Sequence, residues 1–170
     1  MLVAQTLSKM IEYFGKDVRR INHALKVHNF AALIAKNENL STELQELTEV
    51  AAILHDIGIP VSEQKYGSCI GKYQELEGPP IAREMLQQLG ASPELTERVC
   101  FLVGNHHTYT KIDGIDFQIL VEADFLVNIF EDEMSTSAIE SARDKYFKTK
   151  TSSWLLKTMW KVRCISCPKQ

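Results

Sequence analysis

Apolar residues recur at three- and four-residue intervals along most of the chain, which is the spacing of a helix with one buried face. Residues 2–14 show this spacing, and a second stretch from a capping Asp17 to about residue 37 repeats it. Thr42, with Gln45 three residues later, fits a capping box for a third helix that ends in the apolar run before His55. The pattern therefore predicts three successive helices.

The helical pattern is interrupted after the third predicted helix. Gly58 and Pro60 are expected to end that helix. Residues 61–77 lose the helical period and are rich in small polar residues, which predicts a long connection. Connections of this length inside a compact domain are uncommon and are often functional. Helical spacing resumes over residues 79–90.

The second half of the chain predicts four further helices and one more loop. The first of these helices starts at Ser92–Pro93 and ends at about residue 105, and the loop follows over residues 106–114. The second helix is capped by Asp116 and ends at residue 130. The last two are expected near residues 136–147 and 152–163. No long stretch alternates apolar with polar residues, and glycine and proline together number only 13. The sequence predicts an all-α helical bundle that forms one domain over residues 1–170.

Composition narrows the class of protein. The chain has 170 residues, of which 45% are hydrophobic and 24% charged, as in ordinary globular domains. The formal net charge of −3 provides no general attraction to a nucleic acid polymer or an anionic membrane. No uncharged stretch of about 18 residues predicts a transmembrane helix, and the N-terminal residues do not resemble a signal peptide. We expect a cytoplasmic protein without a membrane partner.

The four cysteines fit that location. Cys69 and Cys100 stand alone in the sequence and are expected to be reduced thiols. Cys164 and Cys167 have the spacing of a CxxC pair, but no second ligand pair follows to complete a zinc site. We interpret the pair as incidental.

Histidines and acids occur in unusual surroundings at four places. His55 and Asp56 end an apolar helix just before a glycine, where the chain can turn both side chains toward one point. Asp124 lies within a very apolar helix, where a carboxylate is costly to bury unless it is paired or binds a cation. His23 lies on the inner side of the second helix, and His106 and His107 lie in the second loop.

This ordered set resembles the HD-domain superfamily of metal-dependent phosphohydrolases. The matching segments are residues 20–27 (RINHALKV), 51–58 (AAILHDIG) and 122–124 (EAD), within a family-like core of about residues 17–130. The helices at 135–163 follow this core. The resemblance implies a helical bundle in which His23, His55, Asp56 and Asp124 are the four ligands of one divalent metal ion.

The chemistry of such a ligand set agrees with hydrolysis. Two imidazoles and two carboxylates neutralise a divalent ion and suit Mn, Fe, Co, Ni, Zn or Mg, so the metal is left open. A bound ion lowers the pKa of its water to about 7 in favourable sites, and the resulting hydroxide can attack a phosphate ester or anhydride. Asp56, His106 and His107 are the candidate catalytic residues, with the histidines assisting proton transfer.

Some members of the superfamily hold two metal ions, and this sequence keeps part of a second site. Gln74 stands four residues before Gly78, where these members have a histidine, and an amide is a much poorer ligand. Glu77, or Glu75, is a candidate replacement, and His106 and His107 match the later histidine positions. One ion or two therefore remain open.

Candidate substrate contacts lie in the two predicted loops. Lys65, Lys72 and Lys111 are candidate phosphate ligands, and Tyr109 is a candidate for stacking on a base, as are Tyr66 and Tyr73. These residues favour a small, nucleotide-like phosphorylated substrate.

Two alternatives stay open. One is a di-iron oxygenase of the same fold, although Gln74 weakens the second metal position that oxygen chemistry needs. The other is a non-catalytic module that binds a metal ion or a nucleotide. The apolar C-terminal helices also leave a homo-oligomer open.

Overall fold

The computed structural model describes residues 1–160, which form nine α-helices and one short 3-10 helix. The α-helices are α1 (Leu2–Phe14), α2 (Val18–Asn37), α3 (Thr42–Leu54), α4 (Ile59–Tyr66), α5 (Gly71–Gln88), α6 (Pro93–Val103), α7 (Ile115–Glu131), α8 (Thr136–Tyr146) and α9 (Lys150–Trp160), with the 3-10 helix at Tyr109–Lys111. Cys164, Cys167 and the end of the last predicted helix lie outside the described residues. Within residues 1–160, no helix combines the length and apolar character needed to cross a lipid bilayer.

The core forms where α2 and α7 pack on α3. Val27 and Ile34 of α2, Ile53 and Leu54 of α3, and Leu120 of α7 are all almost completely buried. Helix α3 is the central element because it also packs against α1 and α6. Its C-terminal end lies against the first half of α2 and the second half of α7, inside the bundle.

The long connection predicted over residues 61–77 is wrong, because that segment forms α4 and the start of α5. Pro60 lies in the first turn of α4, where a missing N–H costs no hydrogen bond. Gly67 ends α4 with a φ of 64°, a left-handed conformation that glycine adopts without strain. Only residues 67–70 separate the two helices.

The predicted start of the next helix at Pro79 is also wrong. Helix α5 begins at Gly71 and continues through Pro79 and Pro80. It packs against α4 on one side and α6 on the other, and the thiol of Cys100 in α6 donates a hydrogen bond to the Pro79 carbonyl at 3.4 Å. Tertiary packing here outweighs the low helix propensity of proline.

Two predicted helix caps are corrected. Ser41, not Thr42, caps α3 by accepting a hydrogen bond from the Leu44 amide. Asp116 does not cap α7, which begins at Ile115, because its carboxylate is bound by the Arg98 guanidinium through two hydrogen bonds of 2.7 and 2.8 Å. The predicted caps Asp17 and Ser92 are confirmed by their side-chain hydrogen bonds to backbone amides.

Candidate metal centre

The turn between α3 and α4 presents His55 and Asp56 at the end of the buried helix. Gly58 of this turn lies directly against α5, where a Cβ atom would lie 2.6 Å from the Gln74 carbonyl oxygen and 2.7 Å from the Gly78 nitrogen. Only glycine allows this approach without moving one of the two backbones. Gly58 therefore fixes the turn that carries the His-Asp pair against α5.

Four side chains from three parts of the chain converge at this turn. His23 Nε2 lies 3.2 Å from His55 Nε2, 3.5 Å from Asp56 Oδ2 and 3.3 Å from Asp124 Oδ1. His55 Nε2 lies 3.4 Å from Asp56 Oδ2 and 3.7 Å from Asp124 Oδ1. Helices α2 and α7 thus deliver His23 and Asp124 to the pair that ends α3.

Hydrogen bonds to the other ring nitrogen orient both imidazoles. His55 Nδ1 donates to the Ala52 carbonyl oxygen at 2.8 Å, so its lone pair is on Nε2 in the neutral ring. His23 Nδ1 lies 2.9 Å from Glu131 Oε2, and Lys26 Nζ donates to Glu131 Oε1 at 2.8 Å. A carboxylate behind a ligating histidine is the usual arrangement at metal sites, and it directs Nε2 of His23 to the centre.

The donor atoms fit a divalent metal ion. Metal–ligand bonds of about 2.1 Å place neighbouring donors about 3.0 Å apart at right angles and about 3.4 Å apart in a tetrahedron. The five separations that involve an imidazole, 3.2–3.7 Å, lie close to this range, and the ligand atoms of His23, His55 and Asp56 all lie within 4.8 Å of one another. Two facing imidazole lone pairs and two carboxylates repel one another unless a proton or a cation lies between them. The arrangement could therefore hold a cation.

A second cluster shares Asp56 with the first. Asp56, His106 and His107 each offer a ligand atom, and these atoms lie within 4.8 Å of one another. Asp56 Oδ1 lies 3.5 Å from His106 Nε2, while its Oδ2 faces the first cluster. His106 Nδ1 donates to the Val103 carbonyl oxygen at 2.8 Å, so Nε2 carries the lone pair. This buried Nε2 has no hydrogen-bond partner within residues 1–160, as expected of a metal ligand.

Helix α5 positions His107. Gln74 donates from Nε2 to the Cys69 carbonyl oxygen at 2.5 Å, and its Oε1 lies 3.3 Å from His107 Nε2. The Glu75 carboxylate accepts hydrogen bonds from the His107 amide and the Thr108 hydroxyl at about 3 Å. Gly71 gives the His107 ring its space, because a Cβ there would lie 2.6 Å from Cδ2 of the ring.

The acidic residues predicted to complete the second site are engaged elsewhere. Glu77 accepts hydrogen bonds from Lys65 Nζ at 2.6 Å and from the Tyr66 hydroxyl at 2.7 Å. Glu75 binds the backbone and hydroxyl groups next to His107 rather than the cluster itself. Of the residues predicted for a second ion, the structure brings His106 and His107 together with Asp56.

Burial and charge shift the pKa values of the clustered groups in opposite directions. Burial lowers the pKa of His55, but the negative charge of Asp56 and hydrogen bonding to Asp124 outweigh it and raise the pKa well above 6.5. The pKa of His23 is raised from 6.5 for similar reasons. Burial raises the pKa of Asp56, but the charge of His55 and the proximity of His106 outweigh it and lower the pKa well below 3.8. Without a cation, the two histidines therefore keep their protons to a higher pH than an isolated histidine, because the carboxylates stabilise the charged rings.

His107 behaves differently from the histidines of the first cluster. Its burial, with the nearby charge of His106, lowers its pKa to about 4. The imidazole is therefore neutral at pH 7 and available for proton transfer.

A cleft of about 590 Å³ opens onto the first cluster. His23, Asp56 and Asp124 line it, together with Arg19 and Arg20. The volume is that of a site for a small metabolite. Sequence reasoning missed the two arginines as substrate contacts, although Arg20 lies three residues before His23 and thus on the same side of α2.

The predicted lysine contacts do not line this cleft. Lys65 lies in α4 and pairs with Glu77, and Lys72 is exposed in the first turn of α5, so neither is in a loop. Lys111 donates to Asn105 Oδ1 at 2.7 Å. Tyr66 and Tyr73 stack on each other, with ring centroids 4.1 Å apart.

Tyr109 lies in a second pocket, of about 660 Å³, which shares His107 with the cleft. Burial, with the nearby charge of Asp124, raises the pKa of Tyr109 to about 12. The phenol is therefore neutral at physiological pH.

Comparison with known proteins agrees with the fold and the residue pattern. The family model of the HD domain matches residues 20–143, which include His23, His55, Asp56 and Asp124 and extend beyond the expected core to α8. The fold is similar to the crystal structure of a predicted HD superfamily hydrolase from an uncultured Thermotogales bacterium, with a TM-score of 0.68. The two chains are 24% identical, over 93% of this chain and 84% of that one. A comparison with curated proteins gives no match. The all-α prediction is confirmed, and the chain belongs to the HD-domain family.

Proposed function

We propose that this protein is a metal-dependent phosphohydrolase that acts on a small, nucleotide-like phosphorylated metabolite. His23, His55, Asp56 and Asp124 hold the metal ion in this proposal. The observation that carries it is the pair of imidazole nitrogens 3.2 Å apart, each 3.3–3.7 Å from one oxygen of Asp56 and one of Asp124, beside a cleft of about 590 Å³.

A divalent ion in such a site lowers the pKa of a water ligand and withdraws charge from a phosphoryl oxygen. The chain itself supplies the ligands in fixed orientations. Asp56 directs one oxygen to each cluster, so His106 and His107 are the residues that would hold a second ion. The Nε2 atom of His106, buried without a protein partner among residues 1–160, supports this assignment.

Arg20 is the residue we assign to phosphate binding. Its Nη1 pairs with Asp17 at 2.5 Å and its Nη2 with Glu63 at 2.6 Å, and these two carboxylates fix the guanidinium at the edge of the cleft. A guanidinium has five N–H donors, so donors remain for a phosphate oxygen. Arg19, which also lines the cleft, adds a second cation.

When only the first ion is bound, His107 is the candidate for proton transfer. It lines the cleft, is neutral at pH 7, and is held by Gln74 and the Glu75 carboxylate. A neutral imidazole at a fixed position can accept a proton as the reaction proceeds and return it to the leaving group.

The test combines metal analysis with a panel of nucleotides and sugar phosphates, assayed with Mn²⁺, Co²⁺, Ni²⁺, Fe²⁺ and Mg²⁺. The variants Asp56→Asn and Asp56→Ala are expected to lose both the retained metal and the phosphatase activity. Asp132→Asn is the matched control, because Asp132 lines the same cleft but is exposed. Undiminished hydrolysis by the Asp56 variants would refute the proposal. Two iron ions per chain with a mixed-valent paramagnetic signal and no hydrolysis would favour the oxygenase instead.

A further inference from the structure

The pocket of about 660 Å³ adjoins the metal centre across His107, which lines both cavities. The residues that follow His107 form one part of its wall. Gln118 of α7 and the residues at and just after the end of α8 form the rest. The lining includes Thr108, Tyr109, Gln118, Lys145, Tyr146 and Lys148. A ligand that reaches from the cleft past His107 would enter this pocket.

The floor of the pocket is aromatic. The rings of Tyr109 and Tyr146 have centroids 4.6 Å apart, and Tyr146 stacks on Phe125 at 5.0 Å and 14°. The packing of Tyr109 against Phe125 at 5.5 Å completes the cluster. Both tyrosines are therefore held in place and offer rigid apolar surface to an organic group.

The charge of the pocket is opposite to that of the cleft. Among the described residues that line the pocket there is no carboxylate, whereas Lys145 and Lys148 are both exposed there. Lys145 makes no hydrogen bond or ion pair within residues 1–160. Lys148 Nζ donates to the Asp144 carbonyl at 3.2 Å and lies near the Asp144 carboxylate, which forms its ion pair with Arg143. Neither ammonium forms a direct ion pair among the described residues, so both can contact an anionic ligand.

We propose that this pocket is a subsite for a second anionic group, so that the substrate carries two phosphate groups on one organic scaffold. One phosphate reacts at the metal centre, and the other binds Lys145 and Lys148 on the far side of His107. The inference rests on the proposed phosphohydrolase function and narrows its substrate class.

The test compares adenosine 5′-monophosphate with adenosine 3′,5′-bisphosphate as probes. Titration calorimetry on the protein as purified gives a dissociation constant for each nucleotide, and KM is measured for whichever is hydrolysed. The variant is Lys145→Ala/Lys148→Ala, with Lys145→Arg/Lys148→Arg as the conservative rescue. Lys16→Ala/Lys36→Ala is the matched control, because it removes the same charge from two exposed lysines that line neither cavity.

The wild-type protein is expected to bind the bisphosphate more tightly than the monophosphate. The double alanine variant should weaken bisphosphate binding about 10-fold, as expected for two partly solvated charge contacts, and change monophosphate binding less than about 2-fold. The arginine variant should restore the preference, and the control should keep it.

Two results would overturn the inference: a wild-type protein without preference for the bisphosphate, or an equal loss in the alanine variant and its control. If the preference appears in binding and disappears in the alanine variant while neither nucleotide is hydrolysed, the subsite stands and the proposed hydrolysis fails. If both nucleotides are hydrolysed and the alanine variant keeps the preference, the hydrolysis stands and the subsite fails.

Discussion

Glu131 is the residue whose replacement tests most directly how the chain prepares its metal centre. It ends α7, its side chain is only 13% exposed, and its two oxygens contact His23 Nδ1 at 2.9 Å and Lys26 Nζ at 2.8 Å. It lines the cleft but lies behind His23, so in the proposed centre it orients a ligand. Glu131→Gln keeps the size and removes the charge, whereas Glu131→Ala removes both.

The size of the expected effect follows from these contacts. The glutamine oxygen can still accept a hydrogen bond from His23 Nδ1, but it no longer makes the imidazole more basic, and the new amide group meets the Lys26 ammonium. Loss of a carboxylate behind a metal-bound histidine typically weakens metal binding 10- to 100-fold. We expect about a 10-fold weaker Mn²⁺ affinity for Glu131→Gln, and about 100-fold for Glu131→Ala, or about 1.4 and 2.8 kcal/mol.

The Mn²⁺ dissociation constant is measured from the electron paramagnetic resonance signal of free Mn²⁺. Thermal unfolding in EDTA checks that each variant is folded. Glu49→Gln is a matched control, because Glu49 contacts His28 at 3.0 Å and has similar burial, 14% exposed, but does not line the cleft. If Glu131→Ala binds Mn²⁺ as tightly as Glu49→Gln does, Glu131 does not prepare His23 for a metal ion.

Two further predictions concern stability. Gly58→Ala should lower the free energy of unfolding, measured by chemical denaturation, by about 2–3 kcal/mol, because the new Cβ would collide with the α5 backbone. Gly67→Ala is the control: Gly67 has a φ of 64° but open space around it, so the free energy of unfolding should fall by only about 1 kcal/mol. In EDTA, the melting temperature should fall from pH 6.5 to pH 8.5, because the raised pKa values of His23 and His55 let the folded protein hold more protons than the unfolded chain. His107, whose pKa is lowered to about 4 in the fold, acts in the opposite direction because only its unfolded form takes up a proton near pH 6.5, but its contribution in this window is about 0.4 kcal/mol at most. A constant or rising melting temperature would contradict the pKa directions.

The sequence predicts a helix correctly where apolar residues form one clear face of that helix. The apolar periodicity of α2, α3 and α7 is strong enough to indicate the central layer, and local side-chain caps such as Ser92 mark helix starts. Helix α4 and the first half of α5 were not predicted because their stabilising partners are distant in sequence. Glycine and proline normally end a helix, but Pro60 suits a first turn, and Pro79 is tolerated where α5 packs on α6.

The four candidate ligands were predicted because their ordered set and its local sequence contexts resemble the HD-domain pattern, and Asp124 also stands out in an apolar helix. The residues around them were not. Glu131 and Lys26 look like ordinary surface charges in the sequence, and only the packing of α7 on α2 places them behind His23. The lysines were predicted to contact substrate because their segments were predicted to be loops. Those segments are partly helical, so the lysines lie elsewhere.

The charges of the cleft suggest why metal loading should control substrate binding. The lining contains five carboxylates, those of Asp17, Asp56, Asp124, Glu131 and Asp132, but only two guanidinium groups. At a pH above the raised pKa values of His23 and His55, where both imidazoles are neutral, the metal-free cleft has an excess of three negative charges, which repels a phosphate. One divalent ion leaves a single negative charge, and a second ion at Asp56, His106 and His107 would reverse the sign. The same carboxylates that bind the cation therefore make phosphate affinity depend on it, whereas the carboxylate-free pocket beyond His107 can attract an anionic group without a metal ion.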